Sequence, residues 1–368
     1  MFKINKELLK EMIAEKYIIS QTHPTLPLTI YNYSKSCQYE KKWNEITLMA
    51  RGLVLDNEFN VIAIPFKKFF NYEEHDNKEL PLIPTNEKFE VFEKMDGSLG
   101  IVFRYNGELI ISTRGSFISE QAIKAREIIK KYDESLLIEG FTYLYEIIFP
   151  ANRIVCDYGS DEELVMLGAI NTSTGIEVDY LSIVEKFHPV FPVVKCYGSS
   201  NVIDFKKLQE ENVENREGYV LKFESGFRVK VKFKDYCRLH SIVTNITARD
   251  IWYMLKEGKD LNELLDNVPD EFFDWVNSVI KRLKMKHFSI KADGIKVYHE
   301  VLMESQRGKF TTTVSKKDFA ILLNSEKYTK NKILKGIAFL YFDGKHDRVD
   351  EVIWASIRPE HETPFLNK

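Results

Sequence analysis

The stretch Phe92-Glu93-Lys94-Met95-Asp96-Gly97-Ser98-Leu99-Gly100-Ile101-Val102-Phe103 decides how this chain is read. Its two ends are rich in aromatic and β-branched residues, and its centre is a tight Asp-Gly pair, so it predicts strand, turn, strand. A lysine at the end of the first strand is then held out from rigid backbone into a cleft. There it acts as a covalent nucleophile once burial or neighbouring cations favour its neutral amine. The K-x-D-G tetrad is short and recurs at Lys291-Ala292-Asp293-Gly294. Context separates the copies: Lys291 follows the helical run Lys281–Ile290, no basic strands come after it, and it reads as an exposed lysine before a turn.

Working outward from Lys94, residues from about Thr25 to Tyr236 are short apolar runs of strand length broken by turn residues. Examples are Gly52–Asp56, Leu144–Phe149, Leu164–Ile170, Tyr219–Phe223 and Phe227–Phe233. Asn106-Gly107 marks a hairpin turn, and Ser119–Lys131 carries Ala122, Ala125 and Ile128 at helical spacing. Beyond about Ser241 the apolar spacing becomes helical, in Asp250–Leu265, Glu271–Lys286, Ile295–Glu304, Lys316–Leu323, Lys330–Tyr341 and Val349–Ile357. The expected organisation is a β-rich domain over residues 1–243 and an α-helical domain over 244–368.

The 368 residues carry 52 basic and 55 acidic side chains, a net charge of −3, with 44% hydrophobic residues. That is globular composition and excludes a disordered or fibrous chain. No run is apolar enough to span a membrane, and no signal-peptide pattern opens the chain, so a cytoplasmic protein without membrane contact is expected. Four scattered cysteines without a CxxC argue against disulfides and zinc.

The near-neutral total conceals a local excess. Residues 222–238 hold six basic residues against two acidic ones. In Phe227–Phe233 the alternation predicts Lys230, Lys232 and Lys234 on one face and Val229, Val231 and Phe233 on the other. A row of ammonium groups suits a polyphosphate and the pyrophosphate leaving it. Glu146 and Glu217 lie among apolar strand residues, where a carboxylate needs a partner: a ribose hydroxyl, a metal ion or an internal ion pair.

This ordered set resembles the bacteriophage T4 RNA ligase 1 family of covalent nucleotidyltransferases. The similarity runs through Ile30–Tyr33 (IYNY), Ala50–Asp56 (ARGLVLD), Lys68–Asn71 (KFFN), Lys94–Leu99 (KMDGSL), Arg114–Ala122 (RGSFISEQA), Tyr145–Val155 (YEIIFPANRIV), Glu217–Val220 (EGYV), Lys230–Lys232 (KVK) and Leu239–Ser241 (LHS). The resemblance implies an α+β fold: a nucleotidyltransferase domain of antiparallel sheets with flanking helices, followed by an all-α C-terminal domain. It implies an ATP-dependent RNA ligase, in which Lys94 takes AMP from ATP and passes it to an RNA 5′-phosphate. A 3′-hydroxyl then seals the bond. In this scheme Asp96 fixes the turn, Glu146 binds the ribose, Glu217 supports Mg²⁺ or Mn²⁺, and Lys230 and Lys232 contact the α-phosphate. Arg51, Lys68 and Arg114 line the phosphates, with Tyr33 beside them, and Leu167 and Val220 sandwich the adenine. For Leu167 and Val220, plain core packing is the competing reading. Arg114 stands where a relative has lysine, so only its charge carries over. The implied partner is RNA with 5′-phosphate and 3′-hydroxyl ends, such as a nicked tRNA. The protein would act as a monomer in the cytoplasm, that of the host if the source is viral.

Two alternatives stay open. A DNA ligase or mRNA capping-type enzyme would usually carry arginine two residues after the tetrad glycine, where Leu99 stands, and would append an all-β module. A relative that binds nucleic acid but has lost the chemistry is the other.

Overall fold

The computed structural model describes residues 2–76, 80–244, 246–260, 272–307, 314–325, 328, 330–360 and 362. The chain divides into two compact units, Met1–Val243 and Thr244–Lys368.

The first unit contains three sheets among the described residues. One has the order β1 (Ile18–Thr22), β2 (Leu28–Tyr33), β3 (Arg51–Asp56), β4 (Val61–Ala63). The second has the order β10 (Glu163–Asn171), β9 (Phe141–Ile148), β7 (Ser98–Tyr105), β8 (Glu108–Ser112). The third has the order β11 (Cys196–Ser200), β6 (Phe89–Lys94), β12 (Gly218–Phe223), β13 (Arg228–Lys232), β5 (Phe70–Asn71). Its β13–β5 pair is parallel, and the other strand pairs described below are antiparallel. Helices α1 (Lys6–Ala14), α2 (Lys35–Tyr39), α3 (Glu45–Met49), α4 (Glu120–Ile128), α5 (Tyr180–Phe187), α6 (Phe205–Glu210) and α7 (Lys234–Thr244) complete the unit. The architecture is the α+β one expected.

Local chemistry accounts for these elements. Asn106 and Gly107 both take positive φ (52° and 82°), the twist a two-residue turn needs between β7 and β8. Ser119 caps α4 by accepting from the Ala122 amide, and Ala122, Ala125 and Ile128 bury the helix face. The main core lies between the second sheet and helices α4 and α5, around Val102, Tyr145, Ile147, Leu164, Ile183 and Phe191.

In β13 the alternation buries Val229 and Val231 completely and turns Arg228, Lys230 and Lys232 to the other face. Lys234 does not join that row. The strand ends at Lys232, and Lys234 opens α7, where its ammonium meets Glu210 at 2.7 Å.

The regular elements described in the second unit are helices, including Ala248–Lys256, Lys316–Leu323, Lys332–Phe342 and Val349–Ser356. From Phe273 onward, the stretches expected as two helices, Glu271–Lys286 and Ile295–Glu304, form one 34-residue helix, Phe273–Gln306. Residues 261–265 and Glu271 of the expected helices lie outside the described residues. The second tetrad therefore sits mid-helix and not before a turn. Lys291 pairs with Asp350 at 2.9 Å, and a Cβ at Gly294 would run into the Ile337 side chain. Glycine costs an exposed helix about 1 kcal/mol, but here it lets Lys332–Phe342 approach closely. Among the described residues no helix is long and apolar enough to cross a membrane.

Candidate active site

The Lys94–Gly97 turn carries the chain from the third sheet into the second, since β6 ends at Lys94 and β7 begins at Ser98. Asp96 holds the turn. Its carboxylate, 3% exposed, accepts from the Val155 amide (2.9 Å), the Cys156 amide (2.7 Å) and the Tyr236 hydroxyl (2.8 Å). Its own amide donates to the Tyr158 hydroxyl oxygen at 2.9 Å. Gly97 lets this turn lie against β9: a Cβ there would stand 2.7 Å from the Ile147 carbonyl oxygen. Asp96 lines a separate cavity of ≈ 120 Å³ with Asn152, Cys156 and Tyr158.

Lys94 pairs in register with Gly218 on β12, and Gly218 pairs with Lys232 on β13. Gly218 has φ of 148°, and any side chain there would collide with the Val231 carbonyl. Glu217, 3% exposed, bridges the two lysines. Lys94 Nζ lies 2.6 Å from one carboxylate oxygen and Lys232 Nζ 3.0 Å from the other. A carboxylate this deeply buried is tolerable because it is paired on both sides.

Beside Lys94 opens a cavity of ≈ 190 Å³. Arg51, Lys94, Glu146, Leu167, Val220 and Lys230 all line it. The Arg51 guanidinium and the Lys230 ammonium each stand 5.7 Å from the centre of the Phe69 ring. Leu167 and Val220 face the cavity from different sheets and pack in one apolar cluster with Phe92 and Met95. Leu167 occupies a β-bulge: the β10–β9 register shifts between Met166 and Gly168. An extra residue of this kind re-aims its side chain, and here Leu167 both lines the cavity and packs against the core.

Lys68, Arg114 and Tyr33 form a second group that does not line this cavity. Lys68, 6% exposed, lies 5.5 Å from the Tyr33 ring, 5.9 Å from Trp43 and 5.4 Å from Phe70, a cationic side chain packed among aromatic faces. Arg114 donates to the Tyr33 hydroxyl at 3.1 Å. The sequence reading missed several cavity residues: Phe66, Phe69, Phe92, Glu177, Lys222 and Arg228. Arg228 was legible, because it lies two residues before Lys230 on the same strand face. Glu177 had no such signal.

Glu146 is half-buried in the cavity wall. Burial pushes its carboxyl up to about 7; Lys94 and Arg51 pull it down, while Glu217 and Asp96 add to the rise. An unfolded glutamate ionises near 4.3. As pH rises above that value the unfolded chain releases its proton while the folded chain keeps it, so the fold loses stability until about pH 7, beyond which the penalty is constant. Glu146→Gln is therefore expected to stabilise the protein by roughly 1–3 kcal/mol at about pH 8 and hardly at all at about pH 4. Urea unfolding at the two pH values checks this, and an equal effect at both would contradict it.

Among the described residues no group of three or more His, Cys, Asp or Glu side chains could hold a metal ion.

Residues 49–236, just over half of the chain, match the family model for T4-type RNA ligase 1, described as RNA ligase. An RNA ligase of Rhodothermus phage RM378 is 24% identical over 308 residues, covering 63% of this chain and 68% of that protein. A Thermovibrio ammonificans protein that also carries an RNA ligase name is 27% identical over 270 residues, covering 70% of this chain and 68% of its own length. Among solved structures, the Naegleria gruberi RNA ligase with pyrophosphate has a TM-score of 0.38 and 18% identity. That match covers 43% of this chain and 52% of the Naegleria chain. With residues 49–236 spanning β3 to the start of α7, and so including Lys94, Glu146, Glu217, Lys230 and Lys232, the chain belongs to the T4 RNA ligase 1 family of RNA ligases.

Proposed function

We propose that this protein is an ATP-dependent RNA ligase working through a lysyl-AMP intermediate. The observation that carries this is Lys94 at the end of a strand, beside a cavity lined by the cations Arg51 and Lys230 and by the apolar Leu167 and Val220. In the first step the Lys94 Nζ lone pair attacks the α-phosphorus of ATP. The N–P bond forms, the bond to pyrophosphate breaks, and the lysine proton passes to solvent. Arg51, Lys230 and Lys232 stabilise the charge that builds on the phosphate oxygens. Glu146 accepts from the ribose hydroxyls, and Leu167 and Val220 hold the adenine between them. The AMP then moves to an RNA 5′-phosphate, and a 3′-hydroxyl attacks that end, releasing AMP.

A divalent ion, Mg²⁺ or Mn²⁺, held by Glu217 and the nucleotide oxygens would neutralise phosphate charge. Lys68, Arg114 and Tyr33 serve the outer phosphates. The first unit, to residue 243, carries the chemistry. The unit over 244–368 contributes to the choice of RNA, a nicked tRNA being the favoured substrate. The protein works as a monomer in the cytoplasm, that of the host if the source is viral.

The test offers the full chain 5′-phosphorylated single-stranded RNA, single-stranded DNA and nicked duplex DNA, with ATP and Mg²⁺. Sealing of RNA ends is expected, with broken tRNA the best substrate. Efficient sealing of nicked duplex DNA alone would overturn the reading in favour of a DNA ligase.

A further inference from the structure

Three cross-strand rows run over the cavity side of β6, β12 and β13. The first is Lys94, Gly218 and Lys232; the second is Phe92, Val220 and Lys230; the third is Glu90, Lys222 and Arg228. Successive rows are two residues apart along each strand, about 6.6 Å, so the third lies about 13 Å from the nucleophile's row. A nucleotide whose α-phosphate sits between the side chains of Lys94 and Lys230, and whose base lies over Phe92 and Val220 of the second row, brings the outer edge of that base to the third.

That far end is closed by ions, although the walls leading to it are apolar. Glu177 meets Lys222 at 2.9 Å and Arg228 at 2.6 Å, and all three line the cavity. The Arg228 guanidinium also lies 4.2 Å from the centre of the Phe66 ring, which fixes its plane. Burial pushes the Glu177 carboxyl up, but Arg228 and Lys222 outweigh that and hold it below its usual value. Arg228 Nη2 reaches both Glu177 oxygens, and Lys222 reaches one of them as well. The carboxylate is thus engaged with its own cations. What the cluster can offer a ligand is N–H groups: an ammonium has three donors and a guanidinium five, more than these contacts use.

We infer that Lys222 and Arg228 read the edge of the nucleobase, donating to a ring-nitrogen acceptor and so selecting adenine over guanine, with Glu177 as the positioning residue. The inference rests on the nucleotide-transfer reading above. Adenine presents an unprotonated N1 on its outer edge. Guanine presents N–H groups at N1 and C2, which would face donors and be left unpaired and desolvated. The apolar walls grip any base, so the discrimination comes from this polar end.

The experiment measures single-turnover formation of the protein–nucleotide adduct by the full chain with ATP, GTP and 1-deaza-ATP, which lacks the N1 acceptor. In the wild type, 1-deaza-ATP and GTP are expected to react about 10- to 100-fold more slowly than ATP at subsaturating concentration. Lys222→Met should bring ATP down to the 1-deaza-ATP rate, so that the ratio between them collapses. Glu177→Gln should shrink the same ratio, a change that lost stability alone would not produce. The wild-type comparison stands even if either variant fails to fold. Equal rates with ATP and 1-deaza-ATP in the wild type, or a Lys222→Met variant that slows both alike, would overturn the base-edge assignment while leaving the ligase reading intact. Absence of any adduct with any of the nucleotides would remove the ligase reading, and this inference with it.

Discussion

Lys94→Ala is expected to lose the covalent AMP adduct and strand joining, a drop of at least about 10⁴-fold, as for removal of other covalent nucleophiles. Lys291→Ala is expected to keep both. The contrast rests on backbone position. Lys94 ends a strand at the mouth of a cavity that also holds Arg51, Glu146 and Lys230. Lys291 lies inside a long helix, paired with Asp350. Alanine at 94 also leaves Glu217 with one lysine partner in place of two, so lost activity could be blamed on a disturbed site. Lys94→Arg answers that objection. It keeps a cation beside Glu217, yet a guanidinium does not shed its proton and cannot attack phosphorus. Both variants should fold, as judged by circular dichroism, and neither should yield acid-labile protein-bound AMP after incubation with labelled ATP. An adduct on Lys94→Arg, or loss of the adduct in Lys291→Ala, would overturn the assignment of the nucleophile.

The second large effect concerns stability. Asp96→Ala removes the acceptor for three donors at once, the amides of Val155 and Cys156 and the hydroxyl of Tyr236. Each buried donor left without a partner costs about 1–3 kcal/mol, and neighbouring losses are not additive, so about 3–5 kcal/mol in total is expected. Asp96→Asn keeps one carbonyl acceptor and should lose less. Chemical denaturation measures both. Adduct formation should also fall in Asp96→Asn at temperatures where it remains folded, because the turn that aims Lys94 is held on one side only. A loss below about 1 kcal/mol for Asp96→Ala would show that the turn is held by other contacts.

Much of the fold was legible because local chemistry and tertiary need agree. Asn106-Gly107 makes the hairpin its composition demands, and Ser119 caps the helix whose alanines face the core. The alternation of Arg228–Lys232 separates a buried face from a cationic one. Periodicity ran on too far at Lys234, because nothing in a strand pattern says where the strand stops. The two helical stretches on either side of Gly294 looked separate, since glycine is a poor helix former. The close packing of Ile337 that compensates for it is a tertiary fact. Of the site, the strand-borne cations and carboxylates could be found from the sequence. The far end of the cavity could not, because Glu177 reaches Lys222 and Arg228 across the fold from 45 and 51 residues away.

The Asp96 anchor has a consequence for the timing of synthesis. The residues it joins are separated by 59, 60 and 140 positions along the chain. A ribosome delivers Lys94 long before it delivers Tyr236. Until Tyr236 has left the exit tunnel, the loop bearing Lys94 lacks one of the three donors to the Asp96 carboxylate. The nascent chain thus carries Lys94 on an incompletely tethered loop, and the anchor is complete only when nearly all of the first unit has emerged.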